Sequence, residues 1–259
     1  MRNALRSEWR KVTTTKLWWG LLLTTVAVAG VSAAGLISSY QSGGPPGVAP
    51  PDPFAQASTQ RMLATLGSAG EIFALVYGVI LMTTEFRHLT ARPTFLIEPR
   101  RGRVIAAKLT VGAAVGVIYA IASAAVVAAV MTPWLGAKGD AIEWLRGGVL
   151  ATLGRAAIAV TLYALLGVGI GAVVRNQIAA VIGSLAFLLI IENVFAVIPT
   201  VNRAYAFLPG PAAGALVGST APAIGGVQLT SLEGGLVCLG WGVLLAVCGW
   251  LVTMRRDIP

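Results

Sequence analysis

The chain has 259 residues, of which 56% are hydrophobic and 11% are charged, and its formal net charge is +9. A water-soluble domain of this length carries about twice that share of charged residues, so the composition excludes one and predicts an integral membrane protein. The basic residues fall between the apolar runs, which favours a role in membrane topology over a nucleic-acid-binding surface.

Six apolar runs are long enough to cross a bilayer, because a transmembrane helix needs about 20 mostly apolar residues. The predicted spans are about 17–38, 67–84, 104–131, 148–174, 178–198 and 232–254, within a single domain that covers 1–259. Before the first span, Leu5, Trp9 and Val12 recur at helical spacing among basic residues. This pattern predicts an amphipathic helix at the membrane interface. The predicted fold is an all-α integral membrane protein.

The distribution of basic residues orients the predicted spans through the positive-inside rule. With the N-terminus in the cytoplasm, 14 Lys and Arg residues lie on the cytoplasmic side and 4 on the outer side, while Arg155 falls inside a span. The opposite orientation reverses this ratio, so both termini are expected in the cytoplasm. The first run also resembles a signal peptide, but its length and the five runs that follow favour an uncleaved span.

Besides Lys108, four charged residues fall inside predicted spans, where an ionised side chain costs about 2.5–3.5 kcal/mol at a helix centre. Glu71 and Glu233 lie near the outer ends of their spans and are expected to reach the interface. Arg155 and Glu192 fall at similar depths in adjacent antiparallel spans. We expect these two residues to form a buried ion pair. In the alternative, Glu192 faces the cavity of a dimer and contacts a cationic or polar substrate.

Glycines in the third and fourth spans predict close packing between transmembrane helices. Small residues let two helix backbones approach each other, and the membrane interior favours such contacts. The residues concerned are Gly112, Gly116, Gly167, Gly169 and Gly171. Because the chain contains 31 glycines, the pattern has little specificity and predicts no ligand.

The sequence contains no motif for catalysis or nucleotide binding of its own. No Gly-x-x-x-x-Gly-Lys-Ser/Thr occurs, so the chain has no phosphate-binding loop. His88 is its single histidine, which excludes a His-based zinc site or a serine triad within one chain. We therefore predict no catalytic residues and no metal ligands, and the chain is not expected to be an enzyme. Transport, scaffolding and sensing are the function classes left.

The connection between the second and third spans is the most informative segment of the sequence. It closes one span with a charged residue, continues as a short amphipathic piece, and enters the next span with a snorkelling lysine. In order, it contains Glu85-Phe86-Arg87-His88-Leu89-Thr90, Arg92-Pro93-Thr94-Phe95-Leu96, Pro99-Arg100-Arg101, Arg103-Val104 and Lys108. This order resembles the permease subunits of the ABC-2 type (type V exporter-like) family of ATP-driven exporters. Leu89 replaces the usual glycine of that family, and Pro93 interrupts the short helix.

The resemblance extends over the whole chain with less specific features. They are the basic N-terminal segment, the six spans, Ile191-Glu192-Asn193 in the fifth span and the Pro/Gly-rich loop before the sixth. The resemblance implies a dimer of identical or homologous permeases in a bacterial plasma (inner) membrane. Two separate ABC ATPase subunits would bind ATP and Mg beneath it, so this chain itself would hold no cofactor. No nucleic-acid partner is expected, because the basic residues lie between the apolar runs. It also implies extracellular re-entrant helices between the fifth and sixth spans, at about 204–226.

In this family, the connection between the second and third spans is a coupling helix that docks in a groove of the ATPase. The resemblance assigns this role to Glu85, Phe86, Arg87, His88, Leu89, Arg92, Phe95 and Leu96. The apolar members would anchor the helix in the groove and the charged members would set its register. Two functions that need no ATP are the alternatives: a membrane-embedded sensor or immunity protein that sequesters a peptide, and an assembly scaffold.

Overall fold

The computed structural model describes residues 2–41, 56–87, 101–137, 141–198, 200–219 and 227–255. Within these ranges all regular structure is helical. The α-helices are α1 Arg2–Thr14, α2 Leu17–Gln41, α3 Ala57–Thr65, α4 Glu71–Arg87, α5 Arg101–Ala137, α6 Val149–Val174, α7 Gln177–Ala186, α8 Glu192–Val197, α9 Asn202–Tyr205, α10 Pro209–Val217 and α11 Ser231–Arg255. A 3-10 stretch, Leu66–Gly70, joins α3 to α4, and a π-helical turn, Phe187–Ile191, joins α7 to α8.

Six helical segments in the described part of the chain are long and apolar enough to cross a membrane. Span one is α2, span two is α3 to α4, span three is α5, span four is α6, span five is α7 to α8, and span six is α11. The chain is therefore an all-α, multi-pass membrane protein, as its composition predicts. The predicted amphipathic helix before the first span is also present, as α1.

Span two begins at Ala57, ten residues before the predicted start. Hydropathy does not predict these extra turns, because they contain polar residues. One of these polar residues, Gln60, is nevertheless fully buried. Its side-chain amide donates to the carbonyl oxygen of Ala141 at 3.2 Å and accepts from the backbone N–H of Glu143 at 2.9 Å. These two hydrogen bonds replace the hydrogen bonds to water that the amide loses on burial. They tie α3 to the segment that precedes α6.

Contacts between the helix ends define the two ends of the bundle. At one end, α1 lies beside Glu85 of α4, and the start of α5 lies beside Trp250 of α11. We call this the α1 end. At the other end, which we call the opposite end, α3 lies beside Gly147, and Arg155 of α6 contacts Ser231 of α11.

The centre of the bundle is the close packing of spans two and four. A Cβ atom on Gly78 would collide with the carbonyl oxygen of Ala164, and one on Gly167 would collide with that of Leu75. The two backbones therefore touch with no side chain between them. At the other predicted packing glycines, a Cβ atom would lie only 2.7–2.9 Å from a side chain of a neighbouring helix, namely at Gly112, Gly116, Gly169 and Gly171. This confirms the prediction of close helix packing.

Two short helices, α9 and α10, lie between spans five and six. α10 has nine residues, so it is about 14 Å long and too short to cross a bilayer. Ala212 and Leu216 pack it into the core beside spans four and six. It ends at Val217, and the following residue, Gly218, has a φ of 91° in the left-handed region that favours glycine. Residues 220–226 of the predicted re-entrant segment lie outside the described residues.

Candidate functional site

Four charged side chains form a closed cluster at the α1 end. Glu8 and Lys11 come from α1, Glu85 from α4 and Lys108 from α5. The Lys11 ammonium lies 2.6 Å from the Glu8 carboxylate and 2.5 Å from that of Glu85. The Lys108 ammonium lies 2.9 Å from Glu8 and 3.1 Å from Glu85. Each lysine thus bridges the same two carboxylates, and the four charges cancel. We call these four residues the charge ring.

The charge ring is buried except at Lys11. Lys108 is 1% exposed, Glu8 3% and Glu85 6%, whereas 42% of the Lys11 side chain is exposed. Lys108 also donates to the carbonyl oxygen of Leu81 at 3.3 Å. The sequence predicts a snorkelling lysine at position 108, and this prediction is wrong. The ammonium points into the bundle because two carboxylates face it there, which offsets its desolvation.

The ring changes the ionisation of its one partly exposed member. Burial lowers the pKa of Lys11, but the hydrogen bonds from its ammonium to Glu8 and Glu85 and the charges of those carboxylates outweigh it. The net effect raises the pKa of Lys11 above its ordinary value of 10.5. Lys11 is therefore held in its charged form, which is the form the ring requires.

The charge ring fastens α1 to the transmembrane bundle. Val12, one turn beyond Glu8, is buried in the same core cluster as Tyr77 of α4 and Tyr119 of α5. Charged and apolar contacts therefore hold one face of α1 against spans two and three. The sequence analysis does not predict that α1 is fastened to the bundle. Glu8 is, however, the single acidic residue of an otherwise basic helix. That lone carboxylate is the signal in the sequence that could have pointed to it.

Three of the eight predicted coupling residues lie in the described part of the chain. Glu85 belongs to the charge ring. Phe86 packs against the core, and its ring centroid lies 5.5 Å from the guanidinium carbon of Arg175. Arg87 donates to the side-chain oxygen of Gln177 at 3.4 Å. These contacts join the end of span two to the turn between spans four and five. The remaining five lie outside the described residues: His88, Leu89, Arg92, Phe95 and Leu96.

A polar cavity of about 340 Å³ lies at the opposite end of the bundle. Its walls include Glu71 from the start of α4, Glu192 and Asn193 from α8, and Tyr205 from α9. Two carboxylates from spans two and five thus border one space. With the amide and the phenol beside them, they form a surface suited to hydrogen-bond donors or to a cationic group. We call this space the acidic cavity.

Glu192 also holds the short helix α10 in place. Its side chain is 4% exposed, and its Oε1 accepts the backbone N–H of Gly210 at 3.1 Å. Gly210 is in the first turn of α10, where backbone N–H groups have no partner within the helix and a negative charge is favourable. A Cβ atom on Gly210 would collide with the carboxylate. Glu192 therefore caps α10 and anchors it to span five.

The predicted ion pair between Arg155 and Glu192 is wrong. Arg155 donates from Nη1 to the hydroxyl of Ser231 at 2.8 Å and from Nη2 to that of Thr152 at 3.2 Å, whereas Glu192 caps α10. Similar depth in the membrane sets the two residues at the same height but does not decide which face of each helix they occupy. Arg155 lies on the side of span four that meets span six, and Glu192 lies on the side of span five that meets α10.

Three features of the described residues frame the functional question. The described residues form a buried charge ring at one end of the bundle and an acidic cavity at the other. They contain no group of three or more His, Cys, Asp or Glu side chains that could bind a metal ion. No protein-family model matches the sequence, and no curated protein matches it.

Proposed function

We propose that the chain is the transmembrane permease subunit of an ATP-driven exporter of the ABC-2 type. Two such permeases, identical or homologous, form the substrate pathway, and two separate ATPase subunits bind ATP and Mg beneath them. The observation that carries the proposal is the ordered resemblance of residues 85–108, between spans two and three, to the coupling segment of that family. The α1 end faces the cytoplasm of a bacterium, because the basic residues concentrate there.

The charge ring supports this proposal because it joins both sides of the coupling segment. Glu85 lies just before residues 88–100 and Lys108 lies shortly after them, and their charged groups are 3.1 Å apart. A force applied to the segment by an ATPase would therefore reach spans two and three together. Through Glu8 and Lys11 it would also reach α1. A rigid base of this kind is what a coupling element needs in order to transmit movement.

The helices between spans five and six support the transport pathway of the proposal. α10 is capped by Glu192 on one side and packed against span six on the other, as a re-entrant helix at the outer face would be. The acidic cavity lies beside it. In this proposal Glu192 both positions α10 and borders the outer part of the pathway, and the cationic or polar substrate considered for it would meet this carboxylate there.

The decisive experiment is purification of the full-length, tagged chain from its source membranes in a mild detergent. We expect an ATPase with Walker motifs to copurify and to hydrolyse ATP in the complex. Phe95→Ala should leave the chain inserted in the membrane but reduce the hydrolysis that is coupled to export. Phe207→Ala is the matched control, because Phe207 is exposed at the opposite end.

Two outcomes would overturn the proposal. One is a purified chain that carries no ATPase, and the other is coupled hydrolysis that is unchanged in Phe95→Ala. A stable complex with a peptide in the absence of any ATPase would instead support the sensor or immunity protein. A stable complex with other membrane proteins, formed without a peptide and without an ATPase, would support the assembly scaffold.

A further inference from the structure

A second cavity at the opposite end is lined by basic and hydroxyl side chains. It has a volume of about 730 Å³ and lies between α3, the start of α6 and the end of α10. Arg61 and Arg155 line it, together with the hydroxyls of Ser58, Thr65, Thr152 and Ser219. We call this space the basic cavity. It adjoins the acidic cavity at Ser219, which lines both, but neither carboxylate of the acidic cavity lines it.

Arg155 forms no ion pair with the described residues. Its two bonds go to neutral hydroxyls, those of Ser231 and Thr152, and its Nε is buried without a hydrogen-bond partner there. Arg155 lies six residues after Val149, which places it about 9 Å into span four. A cation at such a depth is costly unless an opposite charge accompanies it.

Arg61 adds a second cation to the same space. Its Nη1 donates to the carbonyl oxygen of Gly147 at 3.4 Å. The carboxylate of Glu143 lies beside Gly147. Within the described part of the chain, it forms no ion pair with Arg61 or Arg155. Among the described residues, two guanidinium groups and several hydroxyls therefore line one cavity without an acidic side chain. Planar guanidinium forks are the groups that proteins use to bind phosphate oxygens.

We propose that the basic cavity binds a phosphate-type oxyanion, with Arg155 and Arg61 as its charged ligands. The phosphate can belong to the headgroup of a membrane lipid or to a free phosphorylated solute, since both present the same oxygens. The site opens near the start of span four, within reach of a lipid headgroup at the membrane surface. The inference does not depend on ATP-driven transport, because it rests on the uncompensated charge of Arg155 and on its neighbours in the cavity.

The test uses the full-length chain in mild detergent and three probes at matched ionic strength. They are dioctanoyl phosphatidic acid, dioctanoylglycerol with the same acyl chains but no phosphate, and inorganic phosphate. Binding is measured by native mass spectrometry and by the shift in melting temperature. We expect phosphatidic acid to bind and stabilise the protein and dioctanoylglycerol to do neither. Binding of inorganic phosphate as well would identify a free oxyanion as a ligand, and its absence would identify the lipid headgroup.

Variants of Arg61 and Arg155 test their role in binding, and a variant of a third arginine serves as the matched control. Arg61→Gln and Arg155→Gln should each weaken phosphatidic acid binding about tenfold or more, because each removes a charge-assisted hydrogen bond. Arg155→Lys should retain part of the affinity, and Arg146→Gln should retain all of it, since Arg146 is exposed and outside the cavity. Arg61 is exposed, so its variant is expected to fold even if Arg155→Gln does not. Equal binding by wild type and Arg61→Gln, or equal binding of dioctanoylglycerol, would overturn the proposal.

Discussion

The ammonium group of Lys108 lies 2.9 Å from the carboxylate of Glu8, although the two residues are 100 positions apart in the chain. Both side chains are buried, so this contact fixes α1 against span three inside the protein. Lys11 and Glu85 complete the ring from α1 and span two. The N-terminal helix is thus part of the bundle, and its position is coupled to the ends of the segment that joins spans two and three.

Removal of the Lys108 charge should destabilise the protein strongly. Lys108→Met leaves two buried carboxylates with one lysine between them, and breaking a buried ion pair in this way costs about 3–5 kcal/mol. The free energy of unfolding, measured by SDS titration in mixed micelles, should fall by that amount. Lys16→Met is the control, because Lys16 is exposed and should change the free energy little. Equal values for the two variants would show that the ring does not stabilise the fold.

Removal of one acid and one base together should cost less than the sum of the single changes. In the double variant of Glu8→Gln and Lys108→Met, the Lys11–Glu85 pair remains and the buried site is again neutral. A double-mutant cycle on the free energy of unfolding measures this coupling. Glu8→Gln combined with Glu233→Gln provides the comparison, since Glu233 is fully exposed and the two changes should add independently. Additive losses in both cycles would contradict the ring.

The contribution of Lys11 should disappear at alkaline pH. Its folded-state pKa is raised above 10.5, so its charged form stabilises the fold below pH 10.5 and loses that effect as pH rises through the folded pKa. We expect the difference in melting temperature between wild type and Lys11→Gln to be constant below about pH 10 and to shrink above pH 10.5. Titration of groups outside the charge ring cancels in this difference. A difference that stays constant to higher pH would show that Lys11 gains nothing from its two carboxylates.

A side chain at position 210 should be tolerated only without the Glu192 carboxylate. Gly210→Ala places a Cβ atom against that carboxylate, and overpacking of this kind costs about 1–3 kcal/mol. The same substitution in a Glu192→Ala background should cost much less, as the colliding group is gone. Gly183→Ala in α7 is the control, because a Cβ atom there meets open space. Melting temperatures of the four variants in one detergent decide the matter, and an equal loss in both backgrounds would refute the contact.

Much of the fold could be predicted because it depends on local properties of the chain. Whether a segment crosses a bilayer is set by its length and apolar content, and the six spans were found on that basis. The start of span two was not, since Gln60 is polar and its burial depends on bonds to residues 141 and 143. A hydropathy profile contains no information about hydrogen-bond partners that lie more than eighty residues away in the chain.

The length and apolar content of its segments make this an all-α membrane protein with six spans, and glycines mark where neighbouring spans pack closely. Which charges meet is a property of the assembled bundle. Lys108 turns inward to Glu8, and Arg155 and Glu192 face different neighbours despite their similar depth. Depth follows from position along one helix, whereas the partner of a charge follows from the rotation and packing of several helices at once.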